Sequence, residues 1–532
     1  MFKREPKGRI ETGEIPVLRQ DREAPLSESP PEKGRKASRD LTIFKSFLLM
    51  ALMVLTLYGM LDRGLFGPER WLPAAAAILG LFFISLFVAD YFADIPRIAL
   101  ILVGLLAVLV AVKGLSLIWS IAQTETINEL LRSSMYLASF ILAASSLSSR
   151  RLVGPFIDGM NLIAGAVAGY GVLQKTRPVE YPSNTVDGVR VGSTLEYANT
   201  VAVILGMGIV LGLGRMTQLK NPIARGLYAV LILIFGIILY FTFSRGGMLA
   251  LGVGLVALFV VGGSRLQMFA NLLLICGPLA WLIVRAQDLE TFFKWVSAEN
   301  LRTADGLAFR SDLIIAVLAA FLFQVVYAIL VGRYELPLSL RRPLGVAAMV
   351  TVLAGAVALG FVIIGEQRNS DGVLGAFTSN LEKTEDVSER LTSVSSNSRS
   401  NYWRVAWDEW KEHPLEGTGA GTFSYIWQQN RPDFSGVKQV HNVYLEQGTE
   451  TGIIAFLTLT GFAVLLTGYL MRAAWRANGE RKVLLAGLTG TVVTYLVSSA
   501  LEWHWYIPPS TIFFFILAGV AVKYASGVER DT

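Results

Sequence analysis

Two short segments hold the residues best suited to chemistry. Ser244-Arg245-Gly246-Gly247 sets a permanent cation and two glycines between apolar runs. His441-Asn442-Val443-Tyr444-Leu445 sets one of the chain's three histidines at the mouth of another. Charge at a membrane boundary is expensive and is usually retained there for a purpose. A guanidinium can pair two phosphate oxygens at once. Glycines beside it let a bulky head group approach backbone amides near a helix start. Ser244, Arg245, Gly246 and Gly247 are therefore a candidate clamp for an anionic, membrane-bound ligand. The competing reading is an arginine that snorkels to the interface and anchors a hairpin. His441 has the titration range of a general base near neutral pH. Asn442 lies beside it, and a helix starting there places Tyr444 and Leu445 on its face.

Other polar residues have plainer explanations available. Arg190 leads through Gly192 to Asn199 at the start of an apolar run. Taken alone it is a solvated loop arginine, and Asn199 there could simply bond to backbone. His413 precedes Pro414 and helps to end a helix. His504 is flanked by Trp503, Trp505 and Tyr506, a cluster that an aromatic belt explains. There is no H-x-x-x-H and no Gly-x-Ser-x-Gly spacing, so neither a metal site nor a serine nucleophile is expected. The lone Cys276 excludes an internal disulfide.

The elements that must position these groups are membrane helices. Of 532 residues, 53% are hydrophobic and only 17% charged, against about 25% in a soluble domain. The net charge of +6 fits basic loops on one side of a membrane and does not require nucleic acid. Fourteen spans are expected, near 43–61, 71–89, 97–112, 131–147, 155–173, 197–214, 226–243, 248–263, 267–285, 313–331, 343–365, 451–471, 483–500 and 508–525. The first begins near Ile43 with no small-residue cleavage site after it, so a cleavable signal is not expected.

The expected organisation has five parts. A disordered, proline-containing cytoplasmic tail covers 1–40, and membrane helices cover 41–365. A large extracytoplasmic loop covers 366–450, further helices 451–525, and a cytoplasmic tail 526–532. Lys33, Arg35, Lys36 and Arg39 place the N-terminus in the cytoplasm by the positive-inside rule. Threading the spans then gathers Arg190, Ser244-Arg245, the long loop and Glu502-Trp503-His504-Trp505 on one outer face. Within the loop, Trp403, Trp407 and Trp410 recur at helical spacing up to Pro414, an amphipathic helix that either lies on the bilayer or packs on the bundle. Gly417, Gly419 and Gly421 follow as a flexible turn; no strand precedes them, so a nucleotide-binding reading is poor.

Four segments in order resemble the O-antigen ligase and O-antigen polymerase superfamily of bacterial membrane glycosyltransferases. They are Arg190 with Gly192 and Asn199; Ser244-Arg245-Gly246-Gly247; Trp403 through His413-Pro414-Leu415 to Gly417, Gly419, Gly421 and Phe423; and His441-Asn442, Tyr444-Leu445, Glu450 and Gly452. The resemblance implies a GT-C-like, all-α polytopic fold with roughly twelve spans in family ligases, fewer than the fourteen counted in this sequence, so 12–14 transmembrane helices are expected. It also implies transfer of a glycan from undecaprenyl diphosphate to an acceptor hydroxyl on the outer face of the cytoplasmic membrane. That reaction would be metal-independent and inverting and use no cofactor. Arg245 and Arg190 would hold the diphosphate and His441 would deprotonate the acceptor. Trp403, Trp407 or Trp505 would line the sugar site. The acceptor stays open among lipid A core of lipopolysaccharide, another polysaccharide repeat unit and a protein hydroxyl. A lipid-linked oligosaccharide flippase is the alternative from another class, opposed by the one-sided gathering of the polar groups and by the lack of a paired, broken-helix repeat.

Overall fold

The computed structural model describes residues 32–333, 337–365, 387, 398–432 and 435–527. The first 31 residues of the expected tail, most of 366–397 with its Ser/Thr/Asn-rich stretch, and 528–532 lie outside the described residues. Among those described there are sixteen α-helices and no strand. They are α1 (Glu32–Leu61), α2 (Pro68–Ser85), α3 (Arg97–Leu115), α4 (Gln123–Ser146), α5 (Val153–Thr176), α6 (Ala198–Gln218), α7 (Pro222–Tyr240) and α8 (Arg245–Val261). There follow α9 (Arg265–Ala286), α10 (Glu299–Arg333), α11 (Leu338–Gly365), α12 (Arg399–Glu412), α13 (Phe423–Asn430), α14 (Val443–Arg476), α15 (Gly479–Ser499) and α16 (Pro508–Ser526).

Each of the fourteen expected spans coincides with one helix, and eleven of these are long and apolar enough to cross a membrane. The other three are α2, α4 and α8. The first turn of α2 carries Glu69 and Arg70, α4 opens on the polar run Gln123–Glu129, and α8 has only 17 residues. Helix α1 begins earlier than the expected tail boundary, because Glu32 to Arg39 is rich in good helix formers. Likewise α14 starts at Val443, inside the segment expected to be loop, since Asn442 caps it there.

Contacts between helix ends separate two faces. At one end Thr194 Oγ1 donates to Met60 O (2.6 Å), Ile121 N to Thr418 O (3.3 Å) and Arg302 Nη2 to Pro178 O (2.7 Å). At the other, Lys45 pairs with Asp94 (3.1 Å), Arg215 with Asp158 (2.8 Å), and Arg481 Nη2 donates to Ala525 O (2.8 Å). The fourteen long helices run alternately between these ends.

Helix starts follow local chemistry. Asn221 Oδ1 accepts from Ile223 N (2.8 Å) and Ala224 N (3.3 Å), with Pro222 at the first helical position of α7. The core is built on α6, α15 and α16, which are almost wholly enclosed. α8 and α15 approach through glycines: a Cβ on Gly490 would lie 2.6 Å from Gly254 O. Close backbone approach of this kind replaces the hydrophobic driving force that lipid does not supply. Leu318, Leu322 and Val326 on α10 stay exposed, the pattern of a lipid-facing helix. This is a multi-pass membrane protein.

Candidate active site

The link between α5 and α6 is folded around Asp187. Its Oδ1 accepts from Val189 N (3.2 Å), Arg190 N (3.0 Å) and Thr185 Oγ1 (2.9 Å). Burial works against that charge, but the two amides, the hydroxyl and the Arg190 guanidinium hold the carboxyl below its usual range. The turn aims Arg190 inward. Its Nε donates to Thr242 O (2.6 Å) and its Nη2 to Asn199 Oδ1 (2.7 Å). Arg190 thus ties the head of α6 to the end of α7.

Two residues beyond Thr242, Ser244 caps α8 by accepting from Gly247 N at 3.3 Å. A Cβ on Gly247 would stand 2.5 Å from Ala202 Cβ, so this glycine lets α8 start against α6. At Gly246 the nearest neighbour is Leu501, 3.7 Å from where a Cβ would be. Arg245 opens α8 partly exposed. The clamp segment therefore lies beside the α15–α16 link.

That link carries the residue on which the site converges, Glu502, which is 1% exposed. Its carboxylate accepts from Tyr197 Oη (2.7 Å) and Asn199 Nδ2 (2.8 Å) and pairs with Arg399 from α12. Tyr197 Oη in turn accepts from Asn199 Nδ2 (2.9 Å) and Trp503 Nε1 (2.8 Å). His441 Nδ1 stands 3.4 Å from Glu502 Oε2, at ion-pair distance but without the alignment of a good hydrogen bond. Burial opposes ionisation of Glu502, yet Arg399 and His441 overcome it and hold the carboxyl far below its ordinary range. For His441, burial dominates and lowers its pKa; Glu502 partly restores it and Arg399 opposes it again. At neutral pH the pair is a neutral imidazole beside a carboxylate.

His441 is held by its backbone and its neighbours. It adopts φ +61°, which turns the chain immediately before α14. Asn442 Oδ1 accepts from Tyr444 N and Leu445 N (both 3.1 Å), so its oxygen is committed to the helix cap. The Tyr402 ring lies 5.6 Å from the imidazole and the Trp503 ring 6.3 Å from it.

The glycine turn from Gly417 to Phe423 is pinned to α14. Glu450 Oε2 and Oε1 accept from Gly421 N (2.8 Å) and Phe423 N (3.1 Å), and its carbonyl from Gly419 N (2.8 Å). The helix breaks at Gly452 (φ +74°), where a Cβ would collide with Leu415 O at 1.9 Å. The spacing from Gly417 to Gly452 therefore encodes a loop-to-helix joint. Helix α12 packs on the bundle through Tyr402, Ala406 and Trp410, with Thr449 Oγ1 donating to Ala406 O (3.0 Å). Trp403 is half-buried near Tyr402, whereas Trp407 is 52% exposed on the outward side. Glu409, Glu412 and His413 converge on the surface of α12 as the one group of metal-type ligands among the described residues; it is separate from the Glu502 cluster.

The aromatic-belt explanation of 503–506 does not hold. His504 is fully buried, sharing hydrogen bonds with Thr200 Oγ1 (3.1 Å) and Ser498 Oγ (2.7 Å), and Trp505 and Tyr506 are buried as well. Burial pushes the His504 pKa down to about 4, so it is a neutral structural group. Below the site lies a buried charge cluster in which Lys113 meets Glu129 (3.3 Å), Arg132 pairs with the same carboxylate, and Glu446 accepts from Val440 N (3.3 Å). It fixes the segment leading to His441 from beneath.

The structure brings His441, Arg190, Asn199 and the Ser244–Gly247 turn to one end, around a carboxylate that sequence reasoning placed on this face without a role. Glu502 and Arg399 were the missed residues. The available signal was an acid between two apolar helices, where a lone charge needs a partner. No curated protein matches the chain. A family model described as O-antigen ligase matches residues 310–460, the part running from α10 through the long loop and α12 to α14 and containing His441, Asn442, Glu450 and Gly452. Over that stretch the chain is similar to the O-antigen ligase family, in agreement with the motif order and the all-helical membrane fold.

Proposed function

We propose that this protein is an O-antigen ligase-like glycosyltransferase. It moves a glycan from undecaprenyl diphosphate to an acceptor hydroxyl on the outer face of a bacterial cytoplasmic membrane, with both termini in the cytoplasm. The observation that carries the reading is His441 held against an ionised, buried Glu502 at the same end as Arg190, Arg245 and Arg399.

In this reading Glu502 orients His441 through Nδ1 and leaves Nε2 to take the acceptor proton. The acceptor oxygen attacks the anomeric carbon as the bond to the diphosphate oxygen breaks. The glycan moves to the acceptor with inversion, and the diphosphate leaves with the bond's electron pair. His441 then carries the proton as an imidazolium stabilised by Glu502, and returns it to solvent. Arg245 meets the charge developing on the leaving diphosphate. Arg190, whose Nε and Nη2 already hold Thr242 and Asn199, sets the position of that clamp. Guanidinium charge serves the leaving group here, so the reaction is metal-independent. Ser244, Gly246 and Gly247 shape the head-group seat, and Trp403, half-buried beside Tyr402, faces the glycan, whereas the outward Trp407 does not line the site.

The test is a transfer assay with purified protein and undecaprenyl-diphosphate oligosaccharide, with and without lipid A core, in EDTA and in magnesium. A single glycan added to the core in both media, abolished by His441→Ala, supports the ligase. A ladder of lengthened lipid-linked glycans without added acceptor would make it a polymerase. Lipid translocation in vesicles without transfer would make it a flippase.

A further inference from the structure

The end opposite His441 holds two adjoining cavities to which no part of the transfer reaction assigns a role. The larger, about 720 Å³, opens between α1, α3, α4, α14 and α16 and is lined by Lys45, Asp94, Arg97, Ser148, Tyr469 and Lys523. The smaller, about 410 Å³, is lined by Arg472, Arg476 and Arg481 and shares the Tyr469 wall. Both volumes lie in the range of small-molecule sites.

The charge is one-sided. Among the described residues, six cationic side chains line the two cavities against one carboxylate, and that carboxylate, Asp94, is already matched by Lys45 at 3.1 Å. Lys523 is also committed in part, donating to the Asp94 carbonyl. Arg97, Arg472 and Arg476 are exposed at the rims. Buried donors here also lack partners among the described residues: Ser148 Oγ, Arg150 Nε and Arg481 Nε. Buried polar atoms are rarely left unpaired unless a ligand or water completes them. Beside the cavities, α1 exposes Ile43, Phe47 and Met50, and α14 exposes Val464 and Leu465.

We infer that the paired cavities bind an anionic membrane phospholipid with two phosphodiester groups, one on each side of Tyr469, its acyl chains lying on the apolar faces of α1 and α14. Basic recesses between transmembrane helices suit such head groups because their cations pair with the lipid phosphates. Two recesses with a common wall suit two phosphates joined by a short linker. The inference needs the chain to be embedded in a bilayer and does not depend on glycosyl transfer.

The test uses the delipidated full chain in detergent, with native mass spectrometry and thermal melting as readouts. The probes are a tetra-acyl diphosphatidylglycerol, phosphatidylglycerol, phosphatidylethanolamine and inorganic phosphate. We expect the diphosphatidylglycerol to be retained best and to raise the melting temperature most. The triple variant Arg97→Gln, Arg472→Gln, Arg476→Gln should weaken its retention at least about tenfold. Arg341→Gln with Arg342→Gln, exposed at the same end, should change it less than about twofold. Melting of each delipidated variant checks that it is folded. Equal retention of phosphatidylethanolamine, or parental retention by the triple variant, overturns the inference. Equal retention of phosphatidylglycerol overturns the paired seat. Equal loss in the Arg341/Arg342 variant reduces the effect to general surface charge and also overturns it. Displacement of the lipid by millimolar inorganic phosphate would make this a free-anion site and not a lipid site.

Discussion

Glu502→Gln keeps the shape of the side chain and removes its charge, so it isolates the carboxylate's effect on His441. At an effective dielectric of about 20, opposite unit charges 3.4 Å apart attract by about 5 kcal/mol. That attraction exists only once His441 has accepted a proton, which places it in the transition state rather than the ground state. Arg399 shares the carboxylate and offsets part of it, leaving about 3 to 4 kcal/mol. With a tenfold rate change per about 1.4 kcal/mol, the transfer step should slow by about 10²- to 10³-fold. Donor KM should change little, since Glu502 is buried behind the imidazole and not presented to the head group. The pH profile gives a second readout. In the parent, His441 is lowered by burial and partly restored by Glu502, so activity falls as pH drops through a value below 6.5. Removing the carboxylate takes away the restoring influence, and the acid limb moves to still lower pH while the plateau drops. Single-turnover transfer measured from pH 4.5 to 8 resolves both changes. A plateau within about threefold of the parent, in folded protein with an unmoved acid limb, would refute the orienting role.

Three further outcomes follow from the geometry. Arg245→Lys keeps the charge but loses the planar fork, so donor KM should rise about tenfold with near-parental melting, measured by steady-state transfer and calorimetry. Gly452→Ala forces a Cβ to 1.9 Å from Leu415 O at φ +74°, and should cost about 3 kcal/mol or more, seen as loss of the monodisperse peak and a lower melting temperature. His504 is buried neutral with its pKa lowered from 6.5 to about 4, so the stability it contributes is full above pH 6.5 and is lost as pH falls toward 4. Melting of His504→Gln, which keeps polar contacts but does not titrate, should fall less steeply than the parent across that window.

The sequence by itself determined the class of fold, because runs of about 20 apolar residues satisfy their backbone in a bilayer only as helices. It located all fourteen long helices and the order in which they alternate, and it marked Arg190, Arg245 and His441 as charges or bases kept at membrane boundaries. It also held the joint between Gly417 and Gly452 as a pattern, although the pattern read as a flexible turn until Glu450 was seen to cap it. What only the tertiary structure decided was partnership. Tyr197, Arg399, His441 and Glu502 span more than 300 positions, and no local periodicity connects them. The same holds for the aromatic cluster at 503–506, which composition assigns to the bilayer edge and packing buries around His504. Local chemistry fixes where a helix starts and which face is apolar. Which buried charge meets which, and therefore which group titrates where, depends on distances that arise only when the helices pack.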